Sequence, residues 1–418
     1  MKIFKRADIL LPKDCDMHKW SVVACDQYSS QPEYWAALED LARDVPSTLH
    51  LMLPEAYLEQ TDQLAAAADI NRTMDDYLAH GIFEILSQSY IYVERSLNGG
   101  ACRRGLVGVL DLEAYDYARD SVSPIRATEG TVESRLPPRV EVRRGASLEM
   151  PHIMVFIDDP ADRVMSLLTQ RKETLPALYD FDLSAGGGHI RGWQVSGGDA
   201  DALEQALDGL GDADLLREKY GDAAPAIFAM GDGNHSLATA KKCWEELKSS
   251  LSPAERENHP ARYSLVEIVN IHDQAITFEP IHRVLFATEP AAFLDAAAQA
   301  LGGLSGPADT QHVLRLLTAA GERSLTVRGL TIGQLIAAAE DFCQAYLAEH
   351  GGKVDYIHND ETALEMGRRR DGAAILLPRM EKDELFPSIV RSGPFPKKSF
   401  SIGRAEDKRY YLECRKIK

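Results

Sequence analysis

Short apolar runs are interspersed along this chain with longer segments of helical period, and the two kinds do not alternate regularly. Residues 106–110 read Leu-Val-Gly-Val-Leu, 152–157 read His-Ile-Met-Val-Phe-Ile, and 226–230 read Ala-Ile-Phe-Ala-Met. Each is four to six residues of buried-strand character closed by charge, glycine or proline. Residues 82–93 and 373–377 read the same way, and 324–328 is a shorter strand. Helical spacing is expected over 54–80, with Pro54 in the first turn, over the Ala-rich 291–301, over 332–350 before Gly351-Gly352, and over 361–370. Residues 399–414 read as a hairpin around 403–408. Irregular interleaving predicts a mixed α/β (α+β) fold. A TIM barrel needs strict alternation and is excluded. The change of character near 285 predicts two regions: residues 1–285, which carry an Asp-Gly-Asn-His turn, and a C-terminal α/β region, 286–418, whose basic tail is expected to pack back toward that turn.

With 418 residues and ordinary apolar content, the chain buries a core without needing metals or disulfides. The six cysteines, at 15, 25, 102, 243, 343 and 414, form no C-x-x-C pair, so reduced thiols are expected. The N-terminus has no signal-peptide apolar stretch, and no run approaches the ~20 residues that cross a bilayer. A cytoplasmic location without a membrane partner follows as the expectation. Acids outnumber bases 64 to 46, a net charge of −18. That charge argues against nucleic-acid binding, which requires basic surface to displace counterions, but allows a local basic pocket for a small anion.

The most informative stretch is Met230-Gly231-Asp232-Gly233-Asn234-His235-Ser236. A strand enters a Gly-x-Gly turn and leaves as a helix whose Leu237, Ala240, Trp244 and Leu247 share one face. Gly231 and Gly233 permit the sharp turn, and the first-turn N–H groups then face outward as an anion site. Asn234, His235 and Ser236 add polar groups, while Asp232 is suited to a metal or a proton. The pattern equally describes a helix that Asp232 merely caps. It is neither a phosphate-binding Gly-Lys-Ser/Thr loop nor a Rossmann fingerprint.

Two basic segments stand out from the acidic background. Residues 126–144 hold five arginines, Arg135 and Arg139 among them, against three glutamates, Glu129 included. Arginines at this density suit phosphate or carboxylate, or a helix laced with surface ion pairs. Residues 391–418 carry nine basic and three acidic side chains, with Lys397 and Lys398 in a proline-bounded loop. Asp26, after the apolar Val22-Val23-Ala24, and the pair His282-Arg283 are each placed to lie at a strand end.

Taken in order, Ala24-Cys25-Asp26-Gln27-Tyr28, Thr128-Glu129-Gly130-Thr131, Asp232-Gly233-Asn234-His235, Pro280-Ile281-His282-Arg283 and Pro396-Lys397-Lys398-Ser399 resemble domain-of-unknown-function family 1015 over nearly the whole chain. The commoner branch of that family has Asp-Gly-His-His-Arg where this chain reads Asp-Gly-Asn-His-Ser, so Ser236 replaces a cation. The turn also resembles that of the ParB/sulfiredoxin superfamily, which includes free-serine kinases. The resemblance implies a ParB/sulfiredoxin-like core with large elaborations and a nucleotide or phosphate site at the turn.

The function expected from residues and resemblance together is a nucleotide-dependent phosphotransferase acting on a small hydroxyl metabolite, serine-like by extrapolation, with ATP or ADP and Mg²⁺. Asp232, His235, Glu129 and Asp26 are its catalytic candidates, with Asp232 also the metal ligand. Gly231, Gly233, Asn234, Ser236, Arg135, Arg139, His282, Arg283, Lys397 and Lys398 are its phosphate- or nucleotide-binding candidates. A non-catalytic nucleotide- or metabolite-binding protein is the alternative. A metal-dependent hydrolase through Asp232, His235 and His282 is the second alternative. The oligomeric state is not written in the sequence.

Overall fold

The computed structural model describes residues 2–131, 136–286 and 290–418. The described residues form thirteen α-helices and several sheets. The largest is an open, mixed, eleven-stranded sheet. Its path runs Ala177–Asp182, His189–Val195, Phe83–Ser96, Cys102–Asp111, Tyr263–Asn270, Met154–Ile157, Phe228–Asp232, Ile125–Arg126 and Tyr115–Asp116. Phe4–Lys5 and Ala7–Pro12 pair beside this path on Cys102–Asp111 and Phe83–Ser96.

The strands from Ala177 to Tyr263 in that order are antiparallel. Parallel pairing enters at Tyr263–Asn270 beside Met154–Ile157, and again at Phe228–Asp232 beside Ile125–Arg126. This mixture fits neither a doubly wound parallel sheet nor a closed barrel. The central Met154–Ile157 strand is buried throughout, as expected for a continuous apolar run covered on both faces. Glu267, on the buried strand Tyr263–Asn270, is tolerated because Arg409 Nε lies 2.7 Å and Arg103 Nε 3.8 Å from its carboxylate.

A second sheet is entirely antiparallel, in the order Gly321–Arg328, Gln311–Thr318, Gly372–Leu376, His282–Phe286 and Lys353–Ile357. The helix Ile332–His350 covers it, matching the span read from spacing. Thr331 and Gln334 form a reciprocal capping box, and Ile332, Leu335, Ile336, Ala339 and Cys343 make the buried face. The Ala-rich helix runs from Pro290 to Gly302. All six cysteines are unpaired. Among the described residues no helix is long and apolar enough to cross a membrane.

Two expectations need correction. The helix foreseen over 54–80 is instead a 3₁₀ turn, Glu55–Tyr57, followed by a helix at Gln63–Ala79. Asp62 accepts from the N–H groups of Leu64 and Ala65 and sets the start there. The segment 399–414 is not a hairpin. Phe400–Ile402 pairs with Phe278–Pro280, Tyr410–Tyr411 with Val22–Val23, Cys414 bridges Leu10, and Arg415–Lys416 pairs with Leu148–Glu149. Its two halves bury their side chains against different parts of the protein. Arg409 and Arg415 then fix the second half through buried Glu267, Glu413 and Glu149.

Candidate functional site

The strand Phe228–Asp232 loses register against Met154–Ile157 between Met230 and Asp232. At Gly231 a Cβ would lie 3.0 Å from the Phe156 ring and 3.2 Å from the Met154 carbonyl oxygen. Gly233 has φ +77°, and a Cβ there would lie 3.0 Å from Ile153 Cα. Glycine at both positions lets the chain turn directly on top of Ile153-Met154. The helix Asn234–Lys248 follows, pinned by buried Leu237, Ala238, Ala240 and Trp244, with no side-chain cap at its start. Its first turn contains Asn234, His235 and Ser236, all half-buried. Among the described residues the buried Asn234 Oδ1 atom has no hydrogen-bond donor.

Asp232 does not cap this helix. Its Oδ1 accepts from the Gly233 N–H at 2.8 Å, and its Oδ2 lies 3.1 Å from Lys408 Nζ. The two side chains are 19% and 17% exposed. Burial by itself would raise the Asp232 carboxyl. The Lys408 ammonium, the His152 ring and the Gly233 N–H outweigh it and hold the group below the ordinary aspartate value.

Lys408 is delivered by a loop that two buried arginines grip from beneath. Arg95 donates to the carbonyl oxygens of Gly187, Glu406, Asp407 and Lys408, and Arg103 donates to that of Asp407. Arg95 makes no carboxylate pair within ion-pair distance among the described residues, and burial lowers its guanidinium to about 9. Four carbonyls therefore fix its position, and it fixes theirs.

His152, whose charge also acts on Asp232, is 3% exposed. Its Nδ1 lies 2.8 Å from the Tyr411 hydroxyl and its Nε2 lies 3.9 Å from Asp26 Oδ2. The same hydroxyl is 3.1 Å from Cys25 Sγ. Asp26, His152, Tyr411 and Cys25 thus form one continuous polar chain.

The segment after Ile125–Arg126 meets a loop near the C-terminus. Glu129 Oε1 accepts from the Lys398 N–H at 2.7 Å, and the Phe395 N–H donates to the Thr128 carbonyl. Lys398 is left-handed, φ +56°, a conformation that costs a non-glycine residue energy and is concentrated at functional sites. Its Nζ lies 4.6 Å from the centre of the Tyr356 ring. His358 is depressed below the ordinary histidine value, first by burial, then by the charges of Lys398, Lys408 and His282.

The remaining predicted residues lie as follows. Arg283 is fully buried, bonded to Glu340 and to the carbonyls of Ile281 and Lys398. His282 is buried between Asp360, 2.9 Å from its Nε2, and the Leu377 N–H. Arg283 ties the Lys398 loop to the second sheet, and His282 ties that sheet to the helix Asp360–Gly367. Arg139 pairs with Glu55. The exposed Lys397 lines a cleft of about 1030 Å³ together with Gly130, Thr131 and Lys241. Arg135 lies outside the described residues. His235 presents its carbonyl to the Thr239 hydroxyl. The arginine-rich segment is partly the ion-paired helix that composition allowed, with Arg143 on Glu149 and Arg144 on Glu141 and Glu246.

Sequence reasoning missed Lys408, His152, Tyr411 and His358. His152 was visible only as the first residue of an apolar run. Lys408 was counted in the basic tail without distinction. Among the described residues no group of three or more His, Cys, Asp or Glu side chains is placed to hold a metal ion. The hydrolase trio Asp232, His235 and His282 therefore gains no support.

A family model described as protein of unknown function (DUF1015) matches residues 9–369, and the chain belongs to that family. Comparison with curated proteins gave no match. Among solved structures, the chain is similar to a free serine kinase in complex with ADP, at 10% identity and a TM-score of 0.38, over 74% of this chain and 91% of that one. It is similar to a conserved hypothetical protein from Pyrococcus furiosus at 10% identity and a TM-score of 0.32, over 74% and 94%. It is also similar to C-terminally truncated SbnI from Staphylococcus aureus, at 8% identity and a TM-score of 0.34, over 71% and 82%. At these values the chemistry of this chain must be argued from its own residues.

Proposed function

We propose that this DUF1015 member is a nucleotide-dependent phosphotransferase that acts on a hydroxyl group of a small metabolite. The observation that carries the reading is the Asp232–Lys408 pair at the uncapped start of the helix Asn234–Lys248. An uncapped first turn offers backbone N–H donors to phosphate oxygens. Lys408 brings an ammonium charge to the turn in an acidic protein, and ammonium groups serve phosphate as point charges. Phosphoryl transfer depends mostly on such positioning and charge neutralisation.

Mg²⁺ carried on nucleotide phosphates needs only one or two protein carboxylates. Asp232 fits that donor set, and it would exchange Lys408 for the metal. Mg²⁺ there would neutralise charge on the phosphates. The chain's own residues do the rest. Asn234 orients the ligand through its unpartnered carbonyl oxygen. Asp26, beside His152, and Glu129, beside Lys398, are the two carboxylates positioned to take the proton of the acceptor hydroxyl.

Calorimetry with ATP, ADP and CTP, each with Mg²⁺, tests the reading on wild type, Asp232→Ala and Lys408→Met, with thermal melts as folding controls. Binding by wild type that weakens at least tenfold in both folded variants is expected. Turnover with a panel of hydroxyl metabolites including serine is expected to fall in Asp26→Asn or Glu129→Gln. Failure of wild type to bind any nucleotide would overturn the proposal. Binding without turnover across the panel would replace it with a nucleotide-binding, non-catalytic role.

A further inference from the structure

Beside the turn lies a pocket of about 170 Å³ whose walls are mostly apolar. Leu51, Met52, Met74, Val142, Leu148 and Met150 are among its apolar walls. The charged side chains at its margin are already satisfied by one another: Arg139 by Glu55, and Arg143 by Glu149. Cys25, Tyr411 and His152, which also line it, are likewise hydrogen-bonded together.

The pocket shares walls with the turn. Ser236 belongs both to the first turn of the helix Asn234–Lys248 and to the lining. Ile153, on which Gly233 rests, lines it too. A ligand whose anionic group meets that first turn therefore has an apolar recess adjoining it.

We propose that this recess is a subsite for a compact apolar substituent, of the size of a branched aliphatic chain or one six-membered ring, on the metabolite that takes up the phosphoryl group at the turn and carries it there as product. The inference rests on the anion-binding reading above and adds the class of molecule. Size supports it: an apolar cavity of about 150 Å³ in another protein accommodates benzene. Thioether side chains such as Met52, Met74 and Met150 adapt to irregular apolar shapes. A nucleobase fits less well. Its hydrogen-bonding edge would meet carboxylates and guanidinium groups already committed to each other, and unpaired buried polar groups cost binding energy.

Titration calorimetry with inorganic phosphate, phenol and phenyl phosphate tests this on the full chain. Phenyl phosphate is expected to bind at least tenfold more tightly than inorganic phosphate. Val142→Phe and Ala146→Leu, which fill the recess away from the turn, are expected to abolish that preference and leave phosphate binding unchanged. Because they fill space, they are also expected to melt no lower than wild type. Equal affinity of wild type for phosphate and phenyl phosphate would overturn the subsite and leave the anion site standing. So would a preference that survives in both folded variants. Phenol binding that is lost on filling, with no binding of phosphate, would support the subsite and overturn the turn as an anion site.

Discussion

Lys408 Nζ lies 3.1 Å from Asp232 Oδ2, joining a loop near the C-terminus to the turn at the end of a central strand. Neither side chain is fully buried, yet each is the counter-ion that lets the other remain charged away from bulk water. The arginines beneath the loop make this an arranged contact, since Arg95 and Arg103 hold the carbonyls that set where Lys408 points.

Removing Lys408 leaves Asp232 without that partner. Lys408→Met is expected to cost about 2 kcal/mol in urea unfolding, reduced from the fully buried case by partial exposure. Lys408→Met combined with Asp232→Asn is expected to be more stable than Lys408→Met alone. The pH dependence has a definite sign. Asp232 is lowered from 3.8, so its stabilising contribution is present above that value and is lost as pH falls through the folded value. The stability gap between wild type and Asp232→Asn is therefore expected to narrow below pH 3.8.

Gly233→Ala tests the turn by backbone strain alone. A left-handed φ and a Cβ pressed against Ile153 are expected to cost about 1–2 kcal/mol, measured by denaturant midpoint. Nucleotide binding by the folded variant is expected to weaken, because the first helical turn must shift.

The last strand carries a second test. Burial alone would raise the Glu149 carboxyl, but Arg415 and Arg143 bring it below its ordinary 4.5. Arg415→Met leaves this buried carboxylate with one guanidinium, for an expected loss of about 3 kcal/mol at neutral pH. In wild type the contribution of Glu149 holds above pH 4.5 and disappears as pH falls through the lowered folded value. The variant is expected to begin losing stability at a higher pH, as read from urea midpoints across an acid series.

Cys25 is expected to resist alkylation despite its place in the Asp26–His152–Tyr411 chain. Burial first, then the Asp26 charge, pushes its thiol up to about 12. At pH ~8 roughly one molecule in ten thousand carries the thiolate, the reactive form. Mass spectrometry after brief iodoacetamide treatment is expected to show exposed Cys102 modified well before Cys25.

Much of the fold was legible because local burial patterns are local properties. The helix Ile332–His350 announces itself by Leu335, Ile336, Ala339 and Cys343 on one face, and the run 373–377 by unbroken apolar character. The strand–glycine–helix turn was legible for a similar reason, since Gly233 at φ +77° answers a steric demand within three residues of itself. The 399–414 segment was misread because alternation specifies that a strand is half-buried and leaves its partner open.

The sequence by itself determined the mixed α/β class, the elements that flank the turn and the family to which the chain belongs. Only the tertiary structure decided which charges meet. Nothing near Asp232 in the chain marks Lys408 as its partner, nothing near Lys408 marks Arg95 as its support, and His358 gains meaning only beside Lys398 and Lys408. Periodicity reports the face a residue buries, whereas ion pairs depend on distances of a few ångströms between segments remote in sequence. Those distances are fixed only when the sheets have packed.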